Sequence, residues 1–352
     1  MTGDRFTRRD FIKKSTTAAL GLATACSTST EKPVVSIVRI ENGKTENAVG
    51  KALDLLGGIK TVTKGKDSIL LKPNLVTESP TCTTNPAVIR ALATLMKNAG
   101  KEVRIGEGSA VATGFNIKDG VAFRTRKQDI LDSMQNYVFD QLGYSELARS
   151  MHVPLINLHS GELVQVDVPN GFVNNKITLH KSIVDVDMLC SVPMMKTHVL
   201  ATVTLGMKNL IGLYPGTVYY SARSWLHDRA AEKKSPGIAF EIVDMVRASK
   251  LGLVVIDAST AMEGNGPAAG NLVKMDLIIA GTNPLAVDMV AASIMGFTTK
   301  EIPTFIWAMK SGMGPGDVSG IEIRGDSIDS VKRKFAKPNL VPWDGTWAAQ
   351  EI

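Results

Sequence analysis

At 352 residues, with 44% hydrophobic and 21% charged side chains, the chain has a globular balance and enough length for one large domain or two ordinary ones. No segment reaches the roughly 18 uninterrupted apolar residues that a membrane-spanning helix needs. The formal charge of +6 is concentrated at the start, where Arg5, Arg8, Arg9, Lys13 and Lys14 outnumber Asp4 and Asp10. The remainder holds 35 basic and 32 acidic residues, a charge of +3. That is too mild for a nucleic-acid partner, and no basic run is interleaved with aromatics.

The segment Thr7-Arg8-Arg9-Asp10-Phe11-Ile12-Lys13-Lys14 resembles the twin-arginine export motif, and a weakly apolar stretch, Ser15 to Ala25, follows it. Residues 1–32 are therefore expected to be a signal peptide and tether, with the twin-arginine machinery as a partner and the periplasm or cell envelope as the destination. Two endings stay open: ordinary cleavage after Ala23-Thr24-Ala25, or a lipid on Cys26, which would be the only tie to a membrane. Folded export raises the expectation of a metal or organic cofactor without naming one. Besides Cys26, only Cys82 and Cys190 remain; they form neither an iron–sulfur motif nor a CxxC metal site, and read as isolated buried thiols in preference to a bridge.

Residues 33–352 read as a single elaborated α/β domain. Val34–Ile40 is a predicted strand, and Thr45–Leu56 a helix stopped by Gly57-Gly58. Ser68–Leu71 is a buried strand that runs into Lys72-Pro73-Asn74. Asn85-Pro86 supplies a cap and a first-turn proline for a helix to Asn98. Glu102–Ile105 is the next strand, ending in Gly106-Glu107-Gly108. Strand, helix, strand in this order implies a mainly parallel, doubly wound sheet with helices on both faces. Val111 to Lys127 lacks periodicity and reads as a long functional loop. Helices Ile130–Leu142 and Tyr144–Ser150 follow, then a small hairpin insertion, Leu163–Val168 with Lys176–Leu179. Ile183–Val192 reads as a buried strand, Leu251–Ile256 as one ending at Asp257, and Lys274–Ala280 as another. Asn283-Pro284 repeats the cap-and-proline device for a helix to Met295. Ile302–Lys310 is helical, Ile321–Arg324 is a last strand, and the tail from Pro338 is expected to pack over the surface.

Ligands of open parallel sheets lie beyond the carboxyl ends of the strands. Lys72 and Asn74, Glu107, Lys196 and His198, and Asp257 all fall at such ends. His198 is a candidate metal ligand or proton carrier. Lys72, Lys196 and Lys208 suit phosphate or carboxylate as point charges or, once desolvated, imine formation. Glu107, Asp257, Glu263 and Asp288 are candidate bases or hard-metal ligands, although Asp288 in the first turns of a helix is explained by the helix dipole alone. Gly264 and Gly266 could place amides around an anion or simply make a wide turn. Tyr214, Tyr219, Tyr220, Arg223 and Trp225 either wall a pocket or pack a loop. His152, His159, His180 and His227 have no metal-like spacing and read as structural.

The segments Leu70–Val76, Thr84-Asn85-Pro86, Gly106-Glu107-Gly108, Lys196-Thr197-His198, Gly206–Gly212 and Asn283–Asp288 together resemble the family of domain of unknown function 362. The likeness runs in order from about Val34 to Gly296 and implies Asn209 as a further binding residue beside Lys208. Some relatives in that family carry ferredoxin-type cysteine clusters, and this chain carries none. A fainter likeness joins Lys196-Thr197-His198, Gly206-x-Lys208 and Pro215-Gly216 to nickel-dependent lactate racemases. That resemblance implies a nickel-pincer nucleotide held covalently by Lys196, with His198 as its neighbour. No histidine stands near Gly108-Ser109-Ala110, where that family has Gly-Ser-His. The expected function is binding of an anionic small molecule or cofactor at the strand-end face, with metal-assisted isomerase, racemase-like or hydrolytic chemistry. The alternative is a non-catalytic ligand-binding lipoprotein of the envelope.

Overall fold

Alternation along the strands decides the architecture. In β2 (Ser68–Pro73), Ile69 and Leu71 join one buried cluster while Leu70 joins another, so the strand is covered on both faces. The computed structural model describes residues 31–341 and 351–352. The predicted leader, except for its last two residues, and the tail from 342 to 350 lie outside the described residues. Pro33–Ile352 forms one compact unit.

The main sheet has ten strands. Besides β2 they are β1 (Val34–Arg39), β3 (Glu102–Glu107), β4 (Leu155–Asn157), β5 (Met188–Val192), β6 (Met194–His198), β7 (Thr202–Thr204), β8 (Leu251–Glu263), β9 (Asn271–Gly281) and β10 (Glu322–Gly325). Their order is β10-β1-β9-β8-β5-β2-β3-β4, with β6 pairing to β8 and β7. The block β8-β5-β2-β3-β4 is parallel throughout. Helices α1 (Thr45–Asp54), α2 (Pro86–Asn98), α3 (Gln128–Gln141) and α4 (Tyr144–Met151) cover one face. Helices α5 (Ser224–Glu232), α6 (Ala239–Ala248), α7 (Pro284–Ile294) and α8 (Pro303–Lys310) cover the other. Each fully buried leucine or isoleucine in these layers contributes about 1.5–3 kcal/mol. The fold is α/β, and the small hairpin, Leu163–Asp167 with Lys176–His180, stands beside the main sheet.

The two cap-and-proline signals act as the sequence implies. Asn85 accepts a hydrogen bond from the Ala87 amide at 3.0 Å, and Asn283 accepts one from Ala286 at 2.9 Å. Cys82 and Cys190 are buried free thiols.

Three differences from the sequence reading matter for the site. First, β9 is antiparallel to both neighbours, because a short connection after β8 leaves no room for a crossover helix. Second, β8 does not stop at Asp257; it continues to Glu263, so Asp257 sits in mid-strand. Third, Pro193 is followed at once by β6, which pairs with the continued part of β8 and returns through β7. The segment before β5 is also shorter as a strand than predicted, since Lys181–Val184 makes a helical turn.

Candidate functional site

Beyond the carboxyl ends of β2 and β3 lies an open cavity of about 900 Å³. Its wall includes Lys72, Asn74, Glu107, Lys196, His198, Lys208, Asn209 and Gly266, all candidates from the sequence, together with Arg223 and His227. Among the described residues four cations, Lys72, Lys196, Lys208 and Arg223, face the cavity against a single carboxylate, Glu107.

Lys72 and Glu107 form the fixed part of this wall. The Lys72 ammonium lies 2.8 Å from Glu107 Oε1 and also donates to Asn209 Oδ1 at 3.1 Å and the Pro73 carbonyl at 3.0 Å. Asn209 in turn donates to the Lys72 carbonyl and to Ser191 Oγ. Glu107 accepts from the Leu75 amide at 2.9 Å and the Gly108 amide at 2.8 Å. Every group here has its partners, as a buried charge pair requires. Burial lowers the Lys72 pKa, Glu107 opposes that shift, and the Arg223 charge adds to it. The turn over this pair must be glycine: a Cβ on Gly212 would sit 2.4 Å from Glu107 Oε1 and 2.7 Å from Lys72 Nζ.

Lys196 and Lys208 are different. Lys196, in β6, is fully buried and donates only to the Cys82 carbonyl, at 2.6 Å. Its pKa is lowered to about 8, mainly by burial; Cys82 and Glu107 oppose the shift, and Lys72 adds to it. Lys208 opens the 3-10 turn Lys208–Leu213 and has no hydrogen bond or ion pair among the described residues. Burial, then the charges of Lys196, Lys72 and Arg223, lower its pKa to about 7.

His198 is held as a donor. Its Nδ1 accepts from the Leu200 amide at 3.0 Å and the Ala201 amide at 3.4 Å, so the proton of the neutral ring rests on Nε2. Burial and the neighbouring charges of Lys208 and Lys196 keep the ring well below the usual histidine range. A metal on Nε2 would force the other nitrogen to carry the proton against two backbone N–H groups. No cluster of three or more His, Cys, Asp or Glu among the described residues is placed to hold a metal ion. The site as built therefore does not suit the metal centre that the racemase resemblance implies, although a buried lysine stands at the corresponding place.

Several candidates have other work. Asp257 accepts from the Asn85 amide at 2.8 Å and from Ser259, anchoring the start of α2; it does not line the cavity, because its strand runs on past it. Asp288 accepts from the Gly206 and Met207 amides at 2.7 and 2.9 Å, and Glu263 from the Ala336 amide. Gly264 and Gly266 offer no free amides. The Gly264 N–H donates to Ala336 and the Gly266 N–H to Gly264, and the Gly264 carbonyl accepts from Thr197. Tyr214, Tyr219 and Trp225 pack on one another edge to face, outside the cavity.

Arg223 and His227 are the residues that sequence reading undervalued. The guanidinium donates to the carbonyls of Ser109 (2.9 Å), Gly212 (3.0 Å) and Gly108, tying the β3 loop to the turn over the ion pair. Arg223 adopts φ +56° beside Ala222 at +54°, a left-handed pair that places the side chain. The four-residue spacing of Arg223 and His227 at the start of α5 was the available signal.

The family model described as Domain of unknown function (DUF362) matches residues 69–293, which contain every cavity residue named above. The chain belongs to this family. A thylakoid-associated protein of Synechocystis sp. is 29% identical over 287 residues, 80% of each chain. Among solved structures, the lactate racemase apoprotein of Thermoanaerobacterium thermosaccharolyticum matches with a TM-score of 0.43 and 12% identity over 75% of this DUF362 chain. A Thermotoga maritima protein matches with a TM-score of 0.42 and 16% identity over 68%. The chain spans only 57% and 56% of those two proteins' own lengths.

Proposed function

We propose that this DUF362 protein binds an anionic small organic molecule in the strand-end cavity, with its anionic group against Lys196, Lys208 and Arg223. The observation that carries this reading is the excess of cations over carboxylates on the wall: Lys72, Lys196 and Arg223 are buried, and Lys208 is half-buried with no side-chain hydrogen bond or ion pair among the described residues. Unmatched buried charge is costly, and a bound anion offsets it. Leu75, Val111, Ile117, Leu200, Ile211 and Pro267 supply an apolar wall for the rest of the ligand. A cavity this size suits a molecule larger than inorganic phosphate.

If the protein is an enzyme, its proton-moving groups are lysine amines. Glu107 is engaged by three donors and His198 presents an N–H, which leaves neither free to take a proton. An envelope location through the twin-arginine leader belongs to the same reading, and the thylakoid association of the Synechocystis relative supports a place near membranes.

Titration calorimetry with benzoate, phenylphosphate and the neutral isostere benzamide tests the binding claim. Both anions are expected to bind and benzamide not to, with Lys196→Met and Lys208→Met each lowering anion affinity at least tenfold. Equal binding of benzoate and benzamide, or of wild type and both variants, would overturn it.

A further inference from the structure

We propose that Lys208 is a covalent attachment point: its side-chain amine forms an imine with the carbonyl of a 2-oxo acid or a similar anion bearing an adjacent aldehyde or ketone. This rests on the anion-binding reading above and names the ligand class more narrowly.

The three cavity lysines are sorted by their partners. Lys72 is committed to Glu107, Asn209 and the Pro73 carbonyl. Lys196 is committed to the Cys82 carbonyl. Lys208 has no such partner among the described residues and stands on the wall of the same cavity. A nucleophilic amine needs a free lone pair and room to move onto the carbonyl carbon. Lys208 is the cavity lysine whose side chain no hydrogen bond or ion pair among the described residues holds back, whereas Lys196 is anchored at the Cys82 carbonyl. Repulsion from Lys196, Lys72 and Arg223, together with burial, also supplies unprotonated amine near neutral pH.

The wall also holds donors suited to the carboxylate of such a ligand. Arg223 Nε and Thr204 Oγ1 are buried polar atoms with no hydrogen-bond partner among the described residues, and both residues line the cavity. Thr204 lies directly opposite Lys196 in the β6–β7 ladder. His198 adds its Nε2–H. The Arg223 and Thr204 atoms would otherwise remain unsatisfied buried groups, at a cost of about 1–3 kcal/mol each.

The step balances without a redox partner. The Lys208 nitrogen lone pair forms a C–N bond to the carbonyl carbon while the C=O π pair moves to oxygen, and one N–H proton passes from nitrogen to that oxygen. The carbinolamine then loses water: its C–O bond breaks, the leaving hydroxyl takes a proton from the Lys196 ammonium, the nitrogen lone pair forms C=N, and the second N–H proton is released to restore that ammonium. Amine plus ketone gives imine plus water. The Lys196 ammonium is the nearby acid available for the departing hydroxyl, with a pKa brought down to about 8.

The experiment treats the full chain with phenylglyoxylate and sodium cyanoborohydride at pH 7, then measures intact mass and maps the modified peptide. One adduct per chain on Lys208 is expected. Lys208→Arg, which keeps the charge but cannot form an imine, should still bind benzoate and lose at least nine-tenths of the adduct. Lys196→Met should still direct the adduct to Lys208, but in lower yield at the same phenylglyoxylate concentration, because it removes an anion-binding charge and the nearby acid. Its pH optimum should be displaced upward, because removing the neighbouring charge makes Lys208 harder to deprotonate; a surface lysine would show no such displacement. No adduct despite benzoate binding sinks the imine and leaves the anion site standing. Neither adduct nor benzoate binding sinks both. Adducts spread over surface lysines, or placed on Lys196, also overturn the assignment.

Discussion

Two sets of charge share one cavity wall and behave in opposite ways. Around Lys72 every donor meets an acceptor: Glu107 lies opposite, Asn209 bridges to β5, and the Leu75 and Gly108 amides complete the carboxylate. Around Lys208 only like charge gathers. The first set ties the ends of β2 and β3 together, and the second lines the cavity without a counter-charge of its own. Burial alone therefore does not mark a candidate ligand group; lack of a partner on the cavity wall does.

The sharpest way to break the comparison is at Glu107. In Glu107→Gln the new amide group must face the Leu75 or the Gly108 N–H, and Lys72 loses its counter-charge. Urea unfolding should show a loss of about 3–5 kcal/mol, as when one partner of a buried pair is removed. A loss below about 1 kcal/mol would show that the pair does not hold the fold.

Gly212→Ala is the next test. Its Cβ would meet both charged groups of the pair at under 3 Å, so the turn must shift. The expected loss is about 1–3 kcal/mol, the cost of overpacking a well-filled interior. An unchanged urea midpoint would mean that the turn and the ion pair are not mechanically linked.

The opposite sign is expected at Lys208. Lys208→Met removes repulsion and keeps the stem, so ligand-free stability should rise by about 1 kcal/mol while anion affinity falls. A loss of stability comparable to that of Glu107→Gln would place Lys208 in the structural set.

The smallest effect is on pH dependence. Lys208 and Lys196 have folded pKa values of about 7 and 8, below the unfolded lysine value near 10.4. Between those limits the unfolded chain binds more protons, so stability rises with pH from about 7 to 9. Of the other groups facing Lys208, Lys72, its pKa also lowered by burial, acts in the same sense; Arg223 stays charged, with a pKa near 10, and His198 and His227 stay neutral. Asp288, pushed up to about 7 by burial, acts in the opposite sense only below that window, where its folded form holds a proton that the unfolded form has lost. Bound benzoate favours the ammonium forms and should flatten the slope. A slope that is the same in wild type and Lys208→Met would show that this amine does not titrate there.

Much of the scaffold could be read from the chain because its signals are local. Asn85-Pro86 and Asn283-Pro284 each carry a cap and a preset φ within two residues, and both helices start there. Lys72, between a buried strand and a proline, was marked as non-surface by its immediate neighbours. Asp257 was misplaced because no local residue tells a strand to stop or continue; its extension depends on pairing with β6 and β9. β6 itself escaped notice, as five residues after Pro193 carry too little pattern of their own. For Arg223 the chain left two readings open, a pocket wall or loop packing, because its carbonyl partners lie 11 to 115 positions away.

The sequence by itself determined the parallel crossover units, the helix starts, the strand-end clustering of Lys72, Glu107, Lys196 and His198, and the family. Only the tertiary structure decided which of those charges are already neutralised and which line the cavity without a counter-charge. Periodicity and caps are properties of neighbours along the chain. Desolvation and hydrogen-bond partnership are properties of groups that meet from far apart: Lys72 finds Asn209 137 positions away, and Lys196 finds Cys82 across 114.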